Sequence, residues 1–72
     1  MTIECALRFQ DSREAPDRAL RVVLTEAEAK TAQFLSGGFW FKTERSPMTI
    51  LADFQEAGFE FEDFESIEFR NI

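Results

Sequence analysis

Hydrophobic and polar residues alternate strictly at the start of the chain. On an extended backbone, one face would carry Ile3, Cys5, Leu7 and Phe9. Because successive side chains of a strand point to opposite faces of a sheet, this alternation predicts a half-buried strand over residues 2–9. The polar stretch 11–18, which contains Pro16, is typical of a loop. Residues 19–24 alternate again and predict a second strand, paired antiparallel with the first, whose inward side chains are Leu20, Val22 and Leu24.

A helix is predicted to follow over about residues 26–36. The tetrapeptide Thr25-Glu26-Ala27-Glu28 matches the capping box, in which the threonine hydroxyl accepts from the third amide and the glutamate reaches back. Gly37-Gly38 is expected to end this helix. The apolar stretch 39–42 is then predicted to form a short strand.

Ser46 and Pro47 predict the start of a second helix, because serine is a common N-cap residue and proline is tolerated at the first helical position. Helical spacing is kept by Ile50, Leu51, Phe54 and Ala57, and Gly58 supplies a stop. The alternation of Met48, Ile50 and Ala52 leaves a strand as the alternative, but the position of the stop favours the helix. Residues 59–61 are predicted to be extended, and residues 66–72 to form the last strand with Ile67 and Phe69 on one face.

Residues 32–41 and 52–61 form a weak internal repeat in which five of ten positions match. Each unit is expected to end a helix at a glycine and to fold the next phenylalanine back onto the one five positions earlier. That contact is typical of a Schellman motif.

The predicted fold is α+β, a β-β-α-β-α-β arrangement with one mainly antiparallel sheet and two helices on one face. A chain of 72 residues has room for one compact domain, spanning residues 1–72. The predicted core comprises Ile3, Cys5, Leu7, Phe9, Leu20, Val22, Leu24, Phe34, Leu35, Phe41, Leu51, Phe54, Ile67 and Phe69.

The composition restricts the chemistry open to the chain. There is no histidine, no tyrosine and one cysteine, so a serine–histidine or cysteine–histidine nucleophile and a Cys/His zinc site are excluded within one chain. We therefore predict no enzymatic activity, no catalytic residue, no cofactor and no metal. The single cysteine and the lack of any apolar run long enough to span a bilayer predict a cytoplasmic protein that does not bind membranes.

The net charge of −6 is confined to one part of the sequence. Residues 1–45 hold seven acids and seven bases, whereas residues 46–72 hold seven acids and only Arg70. Residues 59–69 alternate phenylalanine with acids. Ordinary patterning accounts for this with phenylalanine inward and acids solvated. Clustered like charge costs stability through self-repulsion, however, and a basic partner would offset that cost.

These features predict a small, non-enzymatic, acidic protein-binding module. Trp40 is expected to point away from the core and to act as an aromatic anchor. The predicted partner-binding residues are Glu60, Glu62, Asp63, Phe64, Glu65, Glu68 and Trp40. The same carboxylates lack the glycine and the spacing of a calcium-binding EF-hand loop, so no cation site is predicted.

In size, acidity and lack of catalytic groups, the chain resembles the short acidic inhibitors made by phages and mobile elements, including anti-CRISPR proteins and DNA mimics. The resemblance implies that the protein inhibits a larger protein by occupying a basic, nucleic-acid-binding surface. Direct nucleic-acid binding is not expected, because affinity for phosphates comes largely from lysine and arginine. The alternative hypothesis is an assembly accessory protein that acts as a homodimer through surplus phenylalanines and a free strand edge.

Overall fold

The fold is a four-stranded antiparallel sheet with helices on one face, described by a computed structural model over residues 1–71. The elements, in chain order, are β1 (Ile3–Phe9), α1 (Ala15–Val22), α2 (Glu26–Thr31), β2 (Gln33–Leu35), β3 (Gly38–Thr43), α3 (Pro47–Glu56), a 3-10 turn (Phe61–Asp63) and β4 (Phe64–Asn71). The strands lie in the order β2-β3-β1-β4, and every neighbouring pair is antiparallel. The predicted α+β class is therefore confirmed. No helix within residues 1–71 has the length and apolarity needed to cross a membrane.

Two elements form where their local sequence signals predict them. The apolar face of β1 is buried, with Cys5 and Leu7 fully inaccessible. Helix α3 begins after Ser46, whose hydroxyl accepts a hydrogen bond from the Thr49 amide at 3.2 Å, and Pro47 occupies its first turn. The strand alternative for residues 48–52 is thus excluded. The last strand begins at Phe64, two residues before the predicted start, and its predicted last residue, Ile72, lies outside the described residues.

The prediction of a second strand over residues 19–24 is wrong, because this segment belongs to α1 and the turn that follows it. Pro16 lies in the first turn of α1, where its missing N–H costs no hydrogen bond. The buried residues Pro16, Ala19 and Val23 recur at helical spacing. That period turns Val22 away from the core, and it is 57% exposed.

The helix predicted over residues 26–36 ends at Thr31, and the segment after it forms the short edge strand β2. Gly37 has a φ of 80° and lies in the hairpin turn between β2 and β3, so it does not end a helix. Phe34 is 61% exposed at this edge, which contradicts its prediction as a core residue. Pairing with β3 through the two-residue turn Ser36-Gly37 overrides the helical pattern here, and glycine in such a turn is a local hairpin signal.

Gly38 allows β1 and β3 to approach closely. A Cβ atom at this position would lie 1.8 Å from the Leu7 carbonyl oxygen and 2.9 Å from the Arg8 Cα. Both are backbone atoms of a central strand, so they cannot move aside without separating the two strands.

Phenylalanine rings fill the space between the sheet and the helices. Phe9 lies at the centre of this cluster, with ring centroids 5.0–6.5 Å from those of Phe39, Phe54, Phe59 and Phe64. The predicted Schellman motif is confirmed after α3: the Phe59 amide donates to the Phe54 carbonyl at 3.0 Å, and the two rings are 5.4 Å apart. In the first repeat unit, Phe34 and Phe39 also touch, but as partners across the β2–β3 hairpin.

The predicted core is confirmed for the most part. The buried members are Ile3, Cys5, Leu7, Phe9, Leu24, Phe41 and Phe54. The half-buried members are Leu20, Leu51, Ile67 and Phe69. Leu35 is also half-buried, but it lies beside Ala6 and Trp40 on the face of the sheet opposite the helices, so its prediction as a core residue is wrong. Buried residues that the prediction omitted are Ala19, Val23, Phe39, Ile50 and Phe59.

A buried ion pair between Glu28 and Arg45 connects the helices with one another and with β3. The guanidinium donates two hydrogen bonds to the carboxylate, from Nε at 2.8 Å and from Nη2 at 2.5 Å. Thr43 at the end of β3 donates to the same carboxylate at 2.5 Å, and the Thr25 amide completes the predicted capping box at 2.9 Å. The Glu28 side chain is 7% exposed. The carboxylate therefore has a donor on β3, on the loop after β3 and at the start of α2.

Arg45 extends this network to the two other helices. Its Nη2 also donates to the Val23 carbonyl after α1 at 3.1 Å, and its Nη1 forms an ion pair with Asp53 of α3. Burial by itself raises the pKa of Glu28, but the hydrogen bonds from Arg45, Thr43 and Thr25 outweigh that effect and hold the pKa below its ordinary value. The pKa of Arg45 is raised, chiefly by its hydrogen bonds to Glu28.

We predict that Gly38→Ala destabilises the protein far more than Gly37→Ala. The added methyl at position 38 would collide with the β1 backbone, and should lower the free energy of unfolding by at least about 3 kcal/mol. The methyl at position 37 meets no atom closer than 3.8 Å and should cost only about 1–2 kcal/mol, from its left-handed backbone conformation. Urea unfolding measures the free energy of unfolding of both variants. Equal losses in the two would contradict the close approach of β1 and β3 at Gly38.

We predict that the stabilisation provided by the ionised Glu28 carboxylate is lost in acid. Because its folded pKa lies below its ordinary value of 4.5, its contribution is complete above pH 4.5 and is lost as the pH falls through the folded pKa. The difference in unfolding free energy between the natural protein and Glu28→Gln should therefore be largest near neutral pH and shrink in acid. A difference that stays constant across the pH range would show that the carboxylate is not held in its ionised form by folding.

Candidate partner-binding surface

Most of the predicted partner-binding residues lie together on one short segment, residues 60–65, here named the acidic turn. Its carboxylates belong to Glu60, Glu62, Asp63 and Glu65, and all four residues are exposed. The turn is ordered by its own hydrogen bonds, because the Glu60 amide donates to Asp63 Oδ2 at 2.8 Å and the Asp63 amide donates to the Glu60 carbonyl at 3.0 Å. The carboxylates are thus displayed on a fixed backbone.

The aromatic residues of the acidic turn have different roles from those the sequence predicts. Phe64 is half-buried, and its ring centroid lies 5.0 Å from that of Phe9 and 5.3 Å from that of Phe54. It anchors the turn to the core and leaves little of its surface for a partner. Phe61 is 70% exposed beside the carboxylates. It was not among the predicted site residues, although its place between two acids was a signal for it.

Two further acids reach this end of the molecule from a distant part of the sequence. The Gln10 amide donates to the Asp63 carbonyl at 2.9 Å, which joins the end of β1 to the acidic turn. Asp11 and Glu14 in the following loop then line the same shallow depression as Asp63. The sequence does not distinguish these acids as site residues, because arginines in the same segment balance their charges.

Arg18 lines the same depression, but its hydrogen bond and its ring contact are to uncharged groups. Its Nη2 donates to the Ala57 carbonyl at 2.7 Å, and its guanidinium stacks on the Phe59 ring at 4.4 Å. Within residues 1–71, no lysine or arginine nitrogen lies within ion-pair distance of an acidic-turn carboxylate. The acidic-turn carboxylates of the described residues therefore form no direct ion pair, and Arg18 offsets part of the negative charge at this end.

Trp40 and Glu68 lie apart from the acidic turn, on the sheet face that the helices leave uncovered. Both pair with Ala6 of the central strand, so the three side chains form one row across the sheet. Trp40 is half-buried. Glu68 is 3.8 Å from Arg70, so its charge is partly balanced. The predicted site is therefore divided between an acidic end and a mixed-charge face whose ionic residues are Glu4, Arg8, Lys42, Glu68 and Arg70.

Cys5 is the one thiol of the chain, and it lies at the centre of the sheet. It is fully buried, and burial raises its pKa to about 12, so the reactive thiolate is not formed near neutral pH. Over the described range 1–71, no group of three or more cysteine, aspartate or glutamate side chains is arranged to hold a metal ion.

Comparison of the chain with protein-family models, with curated proteins and with solved structures finds no significant match. The interpretation of the acidic turn and of the open sheet face therefore depends on their own geometry. Over the described residues, that geometry combines an ordered set of carboxylates that form no direct ion pair with one exposed aromatic ring.

Proposed function

We propose that this protein is a small, non-enzymatic binding module that inhibits a larger protein by occupying its basic, nucleic-acid-binding surface. The observation that carries the proposal is the convergence of two chain segments, residues 11–14 and 60–65, whose six acids share one end of the fold with only two cations of the described residues, Arg13 and Arg18. Like charges held close together repel one another, and a positively charged surface would relieve that repulsion.

The order of the acidic turn supports a role in binding. Its backbone is held by the Glu60–Asp63 hydrogen bonds, and Phe64 is packed against Phe9 and Phe54. A surface that is already ordered loses little conformational entropy when a partner binds. Complementary charge also accelerates the encounter of the two proteins. Phe61 adds an apolar contact of the kind that contributes most to binding energy when a partner buries it.

Inhibition would follow from competition for the same cationic side chains. A surface that binds nucleic acid does so through lysine and arginine, and each phosphate contact makes the affinity fall with salt. Carboxylates of the acidic turn would replace phosphates at some of these positions. The partner is therefore expected to bind nucleic acid or this protein, but not both at once.

The test is to capture the partner from an extract of the native host and to measure its affinity over a salt series. The double variant Glu62→Lys/Glu65→Lys is expected to weaken binding by at least about a hundredfold, because two charges change sign and the net charge of the acidic turn becomes more positive by about four units. Asp63 is left unchanged because its carboxylate accepts the Glu60 amide and orders the turn.

The matched control is Glu26→Lys/Glu44→Lys, which changes the net charge equally at exposed positions outside the acidic turn. We expect the control variant to retain most of the affinity for the partner. We also expect the nucleic acid that the partner binds to compete with the natural protein. Affinity that is independent of salt, or that falls equally in both variants, would refute an electrostatic mechanism at the acidic turn.

A further inference from the structure

The outer edge of β4 is the longest free strand edge of the molecule. The strand runs over eight residues and occupies one end of the sheet, whereas the opposite edge strand, β2, has three. The register between β4 and β1 shifts only between the pairs Arg8–Ser66 and Phe9–Phe64. Residues 66–71 of β4 therefore keep a regular register with β1. The strand contains neither proline nor lysine, the residues that commonly prevent an edge from pairing with another chain.

Apolar side chains flank this edge on the helix side of the sheet. Leu51 of α3, Ile67 of β4 and Phe61 of the acidic turn line a narrow groove. Met48 precedes Leu51 by three residues, on the same side of α3, and is 81% exposed. A strand added to β4 would cover side chains that water now contacts.

The charges on β4 favour a second copy of this chain as the added strand. If two β4 strands pair antiparallel about a twofold axis at Phe69, Glu68 of each copy lies opposite Arg70 of the other, and two ion pairs form. An axis at Glu68 would instead place two carboxylates opposite each other. An axis at Ile67 would place Glu68 opposite Ser66 and form no ion pair.

The same register keeps the acidic turns of the two copies apart. Glu65, the last acid of the turn, is four positions from Phe69, so the two turns begin eight positions apart along the paired strands. At about 3.4 Å per residue this is about 27 Å. The Debye length in 0.1 M salt is about 10 Å, so repulsion between the turns is largely screened.

We propose that the protein forms a homodimer through antiparallel pairing of β4 with β4 of a second copy, centred on Phe69, which joins two sheets into one of eight strands. This interface leaves the acidic turn free in both copies. The dimer therefore does not depend on the proposed function. If the acidic turn binds a partner, each dimer carries two such binding sites.

The experiment exchanges the two charges and measures association by analytical ultracentrifugation over a protein concentration series. Glu68→Arg and Arg70→Glu each place like charges opposite each other, and each is expected to raise the dimer dissociation constant by at least about tenfold. The double variant Glu68→Arg/Arg70→Glu is expected to recover the natural value. An equal mixture of the two single variants is expected to form a heterodimer, because one chain then carries two cations opposite two acids.

The matched control is Lys30→Glu on α2, an exposed position that changes the net charge as Arg70→Glu does. It should leave association unchanged, and circular dichroism should show that every variant is folded. A natural protein that stays monomeric over the series would overturn the proposal, as would its pairing with a basic peptide strand instead of a second copy. Single variants that dimerise as tightly as the natural protein, or a mixture that fails to recover association, would overturn it too.

Discussion

The hydrogen-bonded ion pair between Glu28 and Arg45 is the interaction on which the arrangement of this domain depends. It connects the loop after β3 with the start of α2, and Arg45 also reaches the end of α1 and Asp53 of α3. A buried carboxylate is costly unless it is paired and hydrogen-bonded. Here each Glu28 oxygen has at least two donors, so that condition is met. The pair thereby restricts how the three helices sit on the sheet.

The position of the helices determines what remains exposed. Because α1, α2 and α3 cover the face of the sheet that carries Cys5 and Leu7, the opposite face and the outer edge of β4 stay open. The aromatic cluster around Phe9 then holds Phe64, and with it the acidic turn, at the end of the sheet. The proposed partner surface and the proposed dimer edge are therefore separate results of one packing arrangement.

Local signals in the sequence were sufficient for β1, for the start of α2 and for α3. They failed at α1, because Pro16 also fits the first turn of a helix and because alternation over residues 19–24 is too short to exclude helical spacing. They failed at β2 because Gly37 fits both a helix stop and a two-residue hairpin turn, and the structure has the hairpin. The capping box located Glu28, but Arg45, 17 residues away, carries no local pattern that identifies its role.

The sequence likewise predicts one part of the candidate surface and not the other. The concentration of acids in residues 60–65 is visible in the sequence, whereas the approach of Asp11 and Glu14 depends on the backbone contact between Gln10 and Asp63. Trp40 and Glu68 are both on the uncovered face: strand order places Trp40 of β3 two strands away from β4, whereas Glu68 is separated from the acidic turn only by its position further along β4. The most direct test of this account is a double-mutant cycle on Glu28→Gln and Arg45→Met, measured by urea unfolding. Each single substitution should cost about 3 kcal/mol, and the double variant should cost less than the sum by at least about 1.5 kcal/mol. Costs that add to within about 0.5 kcal/mol would contradict it, because the two side chains would then act independently.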